Sequence, residues 1–448
     1  MKTRCWLTLV VATVILGGTA PLKAITLEDA LQRTVDKNPA IQSAKHDLEK
    51  ACGRRLIFRS IGYPDVVIGA AGGDQGGHRA GQKPNQPFGF GFGALTQPLF
   101  NAAVPASFRR GNLEVLIALQ QLNMAMVDQL YRTRVSYYNG AYNRQLKQLT
   151  QDQRVHLEGN ASTQQARYQS GVAQRGALLG AEMQTRELDP RIEAADRAYQ
   201  GAALSLADTM GDDLTGRFPL PEMESELKYG SVPVDVSSAT TLALDHRADI
   251  KLARLMVKAA AEDERIMEAA YYPVVNGLLQ AEYIPVSGVR RQSEGSVHRS
   301  DDFISSELRE GAAYTWRVVD NGRVSGQVRQ KRSAREINEI LLKKMEEDVP
   351  RDLARLQTSL DAIAKNHVSI SQAINSAQQS VVLLNQNVSG GVASQLESRL
   401  AENASLDTKT TLLNLAYQQN LALAELDRVT GRYFQYSDDP SANTQKVP

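Results

Sequence analysis

Cysteine is nearly missing from this chain: 448 residues contain two, Cys5 and Cys52. Cys5 sits inside an N-terminal segment that reads as an export signal, so a chain trimmed of that segment keeps one cysteine and has no internal disulfide. A charge of one sign is missing as well. The 51 Lys and Arg are matched by 50 Asp and Glu, for a net charge of +1, and this implies no general attraction to nucleic acid. Aromatic residues are scarce at 6%, which suits long helices better than a β-rich core. The six histidines, at 46, 78, 156, 246, 298 and 367, form no pair at metal-ligand spacing. No phosphate loop, zinc-hydrolase helix or nucleophile elbow is present. The sequence therefore predicts no enzyme, no metal and no cofactor.

Long hydrophobic runs are also absent beyond the start of the chain. Lys2 and Arg4 precede the apolar stretch Trp6–Ile15, followed by Gly17, Gly18 and Ala20. That stretch is shorter than the ~20 apolar residues of a membrane-spanning helix. It reads as an export signal over residues 1–24, with Ala20 and Ala24 as alternative cleavage points. An exported chain without a spanning helix can enter a membrane only as strands of a closed barrel.

What the sequence does contain is one pattern written twice. Asn38-Pro39 and Arg247-Ala248 lie 209 positions apart in matching context, and Tyr63-Pro64 returns as Tyr272-Pro273 at the same offset. Gly171-Val172 returns as Gly391-Val392, Ala181-Glu182 as Ala401-Glu402, and Gly211 as Gly431, all 220 positions on. Ordered anchors with one change of offset define a two-repeat chain, with the extra residues expected in the polar loop around Ser287–Asp302. The first repeat is predicted over 25–230, with strands at 64–75 and 86–99 and a helical hairpin at 102–211. The second is predicted over 231–436, with strands at 274–287 and 305–319 and a hairpin at 322–431. A first ascending helix is expected from Leu27 to Ile61, and a disordered tail over 437–448.

The helices carry the clearest signal. From Leu113, the positions 117, 120, 124, 127, 131, 135, 138, 142, 146 and 149 repeat every 3.6 residues, and only Gln120 breaks their apolar character. A matching line runs from Leu341 to Val388, broken only by His367. A helix from Ala102 to Tyr168 would be ~100 Å long, a rod that needs neighbours along its stripe. Pro190 and Pro350 fall inside these helices and are expected to kink or overwind them. In the second strand, Phe88, Phe90 and Phe92 alternate with Gly89, Gly91 and Gly93. In a strand, period two puts every ring on one face, as in a lipid-facing aromatic girdle at a barrel rim; the other reading is a Gly-rich loop with incidental phenylalanines.

These residues resemble the TolC family of outer-membrane factors. The resemblance is carried by Leu27-Glu28-Asp29-Ala30-Leu31 with Asn38-Pro39, Tyr63-Pro64, Thr96-Gln97-Pro98-Leu99-Phe100 and Arg167-Tyr168-Gln169-Ser170-Gly171. The second repeat adds Arg247-Ala248-Asp249, Tyr272-Pro273, and Trp316 leading to Asp320-Asn321-Gly322. The resemblance implies a mainly α chain of long antiparallel helical hairpins (an α-barrel) that gives four strands to a trimeric 12-stranded outer-membrane β-barrel. It implies passive export across periplasm and outer membrane, as the exit duct of a tripartite efflux pump or a type I secretion system. The implied partners are two further copies in a homotrimer, a periplasmic adaptor, an inner-membrane transporter and outer-membrane lipid. The competing reading is a periplasmic coiled-coil adaptor without a barrel.

Several residues stand out. Ser170, Gly171 and Val172, with Gly390, Gly391 and Val392, are expected to reverse the helices at tips that by resemblance dock the adaptor. Family members close their tunnel near the second tip with acidic, tyrosine and arginine residues. The matching places here hold Val388, Ala393, Glu397 and Leu400, so Glu397 is the gate candidate. Arg54, Arg55 and Arg59 map by the 209 offset onto Asp263, Glu264 and Glu268. This reversal suggests an electrostatic register between neighbouring repeats. A second basic cluster, Arg109-Arg110 and then Arg329, Lys331, Arg332 and Arg335, is expected on the upper tunnel wall, at lipid phosphates or on an ordinary helix surface.

Overall fold

The computed structural model describes residues 24–76, 85–212, 222–223, 227–230, 233–289 and 301–431. The predicted export signal over residues 1–24, apart from residue 24 itself, residues 77–84 and 290–300, and the predicted tail over 437–448 lie outside the described residues. The chain divides into two units. One comprises residues up to Asn38, 129–232 and 360–424; the other comprises 39–128, 233–359 and the chain from 425 on.

The described elements are α1 (Leu27–Lys37), α2 (Pro39–Ser60), β1 (Asp65–Gly76), β2 (Asn85–Phe100), α3 (Ala103–Gln169), α4 (Arg175–Arg186) and α5 (Asp189–Met210) in the first half. The second half has α6 (Val236–His246), α7 (Ala248–Glu268), β3 (Val274–Val289), β4 (Asp301–Thr315), α8 (Arg323–Ser389) and α9 (Gln395–Thr430), with a single 3-10 turn at Ala269–Tyr271. β1 and β3 begin 209 positions apart and α3 and α8 begin 220 apart, so the added residues fall between the start of β3 and the start of α8.

The predicted first helix is two helices. Asn38 adopts φ −58°, ψ 125°, outside the helical region, as a residue before proline must. Arg247 takes the same conformation, φ −57°, ψ 126°, with alanine following it. There the break is held by the Arg247 guanidinium, which donates to both Asp249 carboxylate oxygens at 3.0 and 2.7 Å. The helix that precedes each break is capped at equivalent positions: Thr26 Oγ1 accepts from Asp29 N, and the Asp235 carboxylate accepts from Ser237 N and Ser238 N.

Pro190 does not kink a continuous helix. It stands in the first turn of α5, where its missing N–H costs nothing, and α4 ends before it. Its counterpart in the second repeat is Thr410, and α9 runs unbroken across that place. Pro350, by contrast, lies within the 67 continuous residues of α8.

The first unit packs Ile25, Ala30, Tyr137, Ala203, Leu206, Met210 and Met223 into one core. Tyr137 Oη donates to the Ile25 carbonyl at 3.2 Å, and Thr34 and Thr133 share a buried hydroxyl pair at 2.9 Å. Asn38 Nδ2 donates to the Thr209 carbonyl at 2.7 Å, next to the left-handed Gly211 (φ +72°) that ends α5. In the second unit Ile41, Leu48, Ala51, Ala118 and Leu122 form the core between α2 and α3. Gly431 (φ +70°) ends α9 against Arg247, in the manner of Gly211 against Lys37 and Asn38.

The strands form one antiparallel meander, β1-β2-β3-β4. β4 begins and ends earlier than the predicted 305–319. Trp316 Nε1 donates to the Tyr271 carbonyl at 3.1 Å, and Asp320 accepts from Gly322 N and Val324 N to start α8. Arg317–Asp320 is therefore a connection, although Val318 and Val319 are β-formers by type.

Candidate functional site: a two-faced sheet and two helical tips

Cross-strand partners in an antiparallel sheet share a face, so the register sorts the strands. Phe92 is opposite Gly69 on β1 and Glu282 on β3, and Glu282 is opposite Glu307 on β4. One step along, Ala94, Gln280 and Arg309 align. This first face holds the three phenylalanines together with Thr96, Asn276, Gln280, Glu282, Glu307 and Arg309. The second face carries Val66, Ile68, Leu95, Leu279, Tyr283, Leu308 and Tyr314, with Asp74 and Glu310 as its charges among the described residues. The rings predicted to form a girdle stand on the more polar of the two faces. The period of two fixed only that they stand together.

The rings form a continuous strip. Phe88 and Phe90 lie 6.4 Å apart between centroids, and Phe90 and Phe92 lie 6.0 Å apart. Phe92 lies over Gly69, where an added Cβ would overlap the ring, and Phe88 lies beside Gly73. Among the described residues β1 and β4 pair on one side only, so the sheet has two open edges.

Both tips close with the same hydrogen bonds. Gly171 N donates to the Tyr168 carbonyl at 3.0 Å and Val172 N to the Arg167 carbonyl at 2.9 Å. Gly391 N donates to the Val388 carbonyl at 3.1 Å and Val392 N to the Asn387 carbonyl at 2.8 Å. This pair of bonds needs a left-handed residue at the glycine, and Gly171 (φ +76°) and Gly391 (φ +73°) supply it. Val172 and Val392 are left 69% and 82% exposed, and Ser170 and Gly390 are exposed beside them.

The helices that leave the two tips start differently. At the second tip Ser394 and Glu397 form a reciprocal cap. The Glu397 carboxylate accepts from Ser394 N at 2.9 Å and Glu397 N donates to Ser394 Oγ at 3.2 Å. The gate candidate is therefore engaged in starting α9 in the single chain. Gln174 at the first tip makes no such bond. Near the tips, burial lowers the Arg399 pKa, and the neighbouring Arg167 guanidinium lowers it further.

The charge clusters meet differently from the pairing read in the sequence. Asp263 accepts from Arg110 Nε at 2.7 Å, and buried Glu264 takes Arg332 and Arg335 at 2.9 and 2.8 Å. Glu268 is 3.9 Å from Arg332, and buried Glu262 takes Arg109 at 2.9 Å and Arg265 at 2.5 Å. Glu262 raises the Arg109 pKa, as Glu264 raises that of Arg332, each by accepting the side-chain hydrogen bond. Arg54 meets Glu114 at 3.3 Å and Arg59 donates to Asn112 at 2.8 Å, while Arg55 Nε has no hydrogen-bond partner among the described residues. Within one chain the acids of α7 are held by the second basic cluster rather than by Arg54, Arg55 and Arg59. Four arginines expected on a tunnel wall or lipid surface, Arg109, Arg110, Arg332 and Arg335, are ion-paired, and Glu262, which holds Arg109 together with Arg265 of its own helix, was missed because only its neighbours reverse sign across the repeat.

Among the described residues no helix is long and apolar enough to cross a membrane, and no group of three His, Cys, Asp or Glu could hold a metal ion. His367 instead stacks on Tyr229 with centroids 3.5 Å apart, and Cys52 is a half-buried free thiol.

The fold is shared with solved channels. The Vibrio cholerae outer membrane protein VceC superposes with a TM-score of 0.73 at 18% identity, covering 90% of this chain and 96% of that one. The Campylobacter jejuni CmeC outer membrane channel gives a TM-score of 0.77 at 13% identity, with 93% and 88% covered. The open-state Neisseria gonorrhoeae MtrE outer membrane channel gives 0.71 at 16% identity, with 90% and 88% covered. No curated protein matches the sequence significantly. The sequence does match the outer membrane efflux protein family over residues 30–212 and 240–432, one match for each repeat and most of the chain. By that match the chain belongs to the outer membrane efflux protein family, whose members are passive trimeric channels, not enzymes, set in the outer membrane and extending into the periplasm.

Proposed function

We propose that this channel is the exit duct of a tripartite efflux pump, with three copies closing one 12-stranded barrel. The observation that carries this reading is the sheet. Its four strands have two open edges and two faces of different polarity, and an isolated edge of this length invites another chain. Four strands cannot close a barrel of useful width, whereas three copies can. A charge on the lipid side is costly. The face with Ile68, Leu279, Leu308 and Tyr314 is therefore the lipid side, and the face with Glu282, Glu307, Arg309 and the phenylalanines is the lumen side. A coiled-coil adaptor would have no use for such a sheet. A type I secretion system would use the same duct, and its distinguishing feature would be a protein cargo.

The tips are the docking points for a periplasmic adaptor linked to an inner-membrane transporter. Their exposed valines stand on turns held by backbone bonds, so a partner meets a fixed shape. Three Glu397 carboxylates around an axis would favour cations, and in the trimer Arg54, Arg55 and Arg59 would set the register against acids of the adjacent chain. The chain should run as a heat-modifiable trimer in outer-membrane fractions. A photo-crosslinker at Val172 or Val392 should capture the adaptor, while one at Leu308 should not. Recovery of a monomeric, barrel-free protein from the soluble periplasm would sink the reading. Failure of Glu397→Gln to change cation selectivity would remove the gate role alone.

A further inference from the structure

We infer that the inner wall of the barrel carries a binding strip for organic cations with an aromatic body, built from Phe88, Phe90 and Phe92 beside Glu282. The inference rests on the lumen assignment made above. A water-filled wall has no need of phenylalanine. Here three rings follow one another along one strand, neighbouring planes 25° and 35° apart, with Phe88 and Phe92 still about 40% exposed. Glycine at 69 and at 73 on β1 leaves the space that the rings occupy. The strip is a run of partly exposed rings on which an aromatic solute could lie.

Charge selects what would lie on it. Glu282 stands directly opposite Phe92 on β3, and Glu307 directly opposite Glu282 on β4. Arg309 donates to both oxygens of Glu307 at 2.7 Å, which leaves Glu282 as the carboxylate not engaged in that pair. Phe90, Phe92, Gln280, Glu282, Glu307 and Arg309 line one open groove. These three carboxylate and guanidinium charges leave one net negative charge per copy at the strip. A cation is attracted by the ring faces and by Glu282 together, whereas an aromatic anion gains the rings and is repelled by the carboxylate. A small quaternary ammonium gains the charge and contact with the ring faces, but has no ring of its own to lie on the strip. Each contact is weak, so a solute could rest on the strip and leave it without being trapped.

The test uses the trimer in a planar lipid bilayer and three soluble probes: benzyltrimethylammonium, benzenesulfonate and tetramethylammonium. The ringed cation should reduce conductance at roughly tenfold lower concentration than either other probe, a difference of ~1.4 kcal/mol. The variant F88S/F90S/F92S should raise its half-blocking concentration by roughly tenfold, and Phe92→Leu alone by a few-fold. Glu282→Gln should narrow the gap between the ringed cation and the ringed anion while leaving the ring contribution in place. The lumen assignment is checked separately in a Cys52→Ser background. Phe92→Cys should react with a membrane-impermeant methanethiosulfonate and shift the conductance, while Leu308→Cys should not. An unreactive Cys at 92 overturns the lumen assignment. A reactive Cys at 92 together with unchanged block in both phenylalanine variants overturns the strip. Equal block by benzenesulfonate overturns the role of Glu282.

Discussion

α3 and α8 are equivalent in the repeat and equal in length, 67 residues each, yet they are buried differently within one chain. α3 hides a broad face that includes Ile117, Ala118, Leu122, Leu130, Thr133, Tyr137 and Ala141. Much of that face is small or hydroxylated, so neighbouring backbones can approach closely. α8 hides a single narrow line, Val324, Val328, Val349, Leu353, Leu360, Ile363 and Ile374, and leaves Ile337, Ile340 and Leu341 more than half exposed. Equivalent sequence periodicity therefore describes different environments. α3 buries more of its apolar surface within its own chain, whereas α8 leaves a larger share of it exposed.

The largest effects should separate these two helices. Leu130→Ala removes a fully buried side chain from α3 and should cost ~2–5 kcal/mol of protomer stability. Leu341→Asp should leave the protomer folded and lower the trimer fraction instead. Denaturant midpoints in detergent and the ratio of trimer to monomer on gels measure the two. A trimer unaffected by Leu341→Asp would mean that this seam faces solvent.

The second comparison is between the descending helices. Thr410→Pro would place in α9 the residue that separates α4 from α5, but without a break to receive it. The expected cost is ~3 kcal/mol or more. Pro190→Ala, in the first turn of α5, should change stability by less than about 1 kcal/mol. The same unfolding measurement ranks them, and equal costs would show that α9 already bends at Thr410.

A smaller contrast lies in the glycines that end these helices. Both take a left-handed conformation, and alanine pays ~1–2 kcal/mol for that. A Cβ at Gly211 would also come within 2.5 Å of the Lys37 carbonyl oxygen, whereas at Gly431 the closest atom is 3.0 Å away. Gly211→Ala should therefore be the more damaging of the two, by a margin visible as a lower midpoint.

What could be read in advance was local or periodic. Gly171 and Gly391 end long helices at a fixed offset, and the turn chemistry of glycine placed both tips. The helical stripes and the two hairpins came from spacing. What escaped was decided by pairing across the chain. Phe88, Phe90 and Phe92 announce a common face, but only their partners Gly69 and Glu282 say which face. Asp263, Glu264 and Glu268 announce a reversal of charge, but only packing against α3 and α8 gives them Arg110, Arg332 and Arg335. Val318 and Val319 favour a strand by residue type, and the Asp320-Asn321-Gly322 turn prevails because its backbone bonds start α8.

The smallest contrast distinguishes the two helix caps by pH. Thr26 and Asp235 hold equivalent positions, and each accepts backbone N–H groups at a helix start. The hydroxyl does not titrate. The carboxylate does, and the Ser238 N–H group holds its pKa below the ordinary carboxylate value. A carboxylate with a depressed folded pKa contributes stability that is present above its unfolded pKa and lost as pH falls through the folded one. Hydrogen exchange in the first turn of α6, corrected for intrinsic rates, should therefore speed up as pH drops below the usual carboxylate range, while α1 stays flat. Asp235→Ser should make α6 behave like α1. If α6 kept its pH response in that variant, the source would lie in another group and the cap would be a spectator.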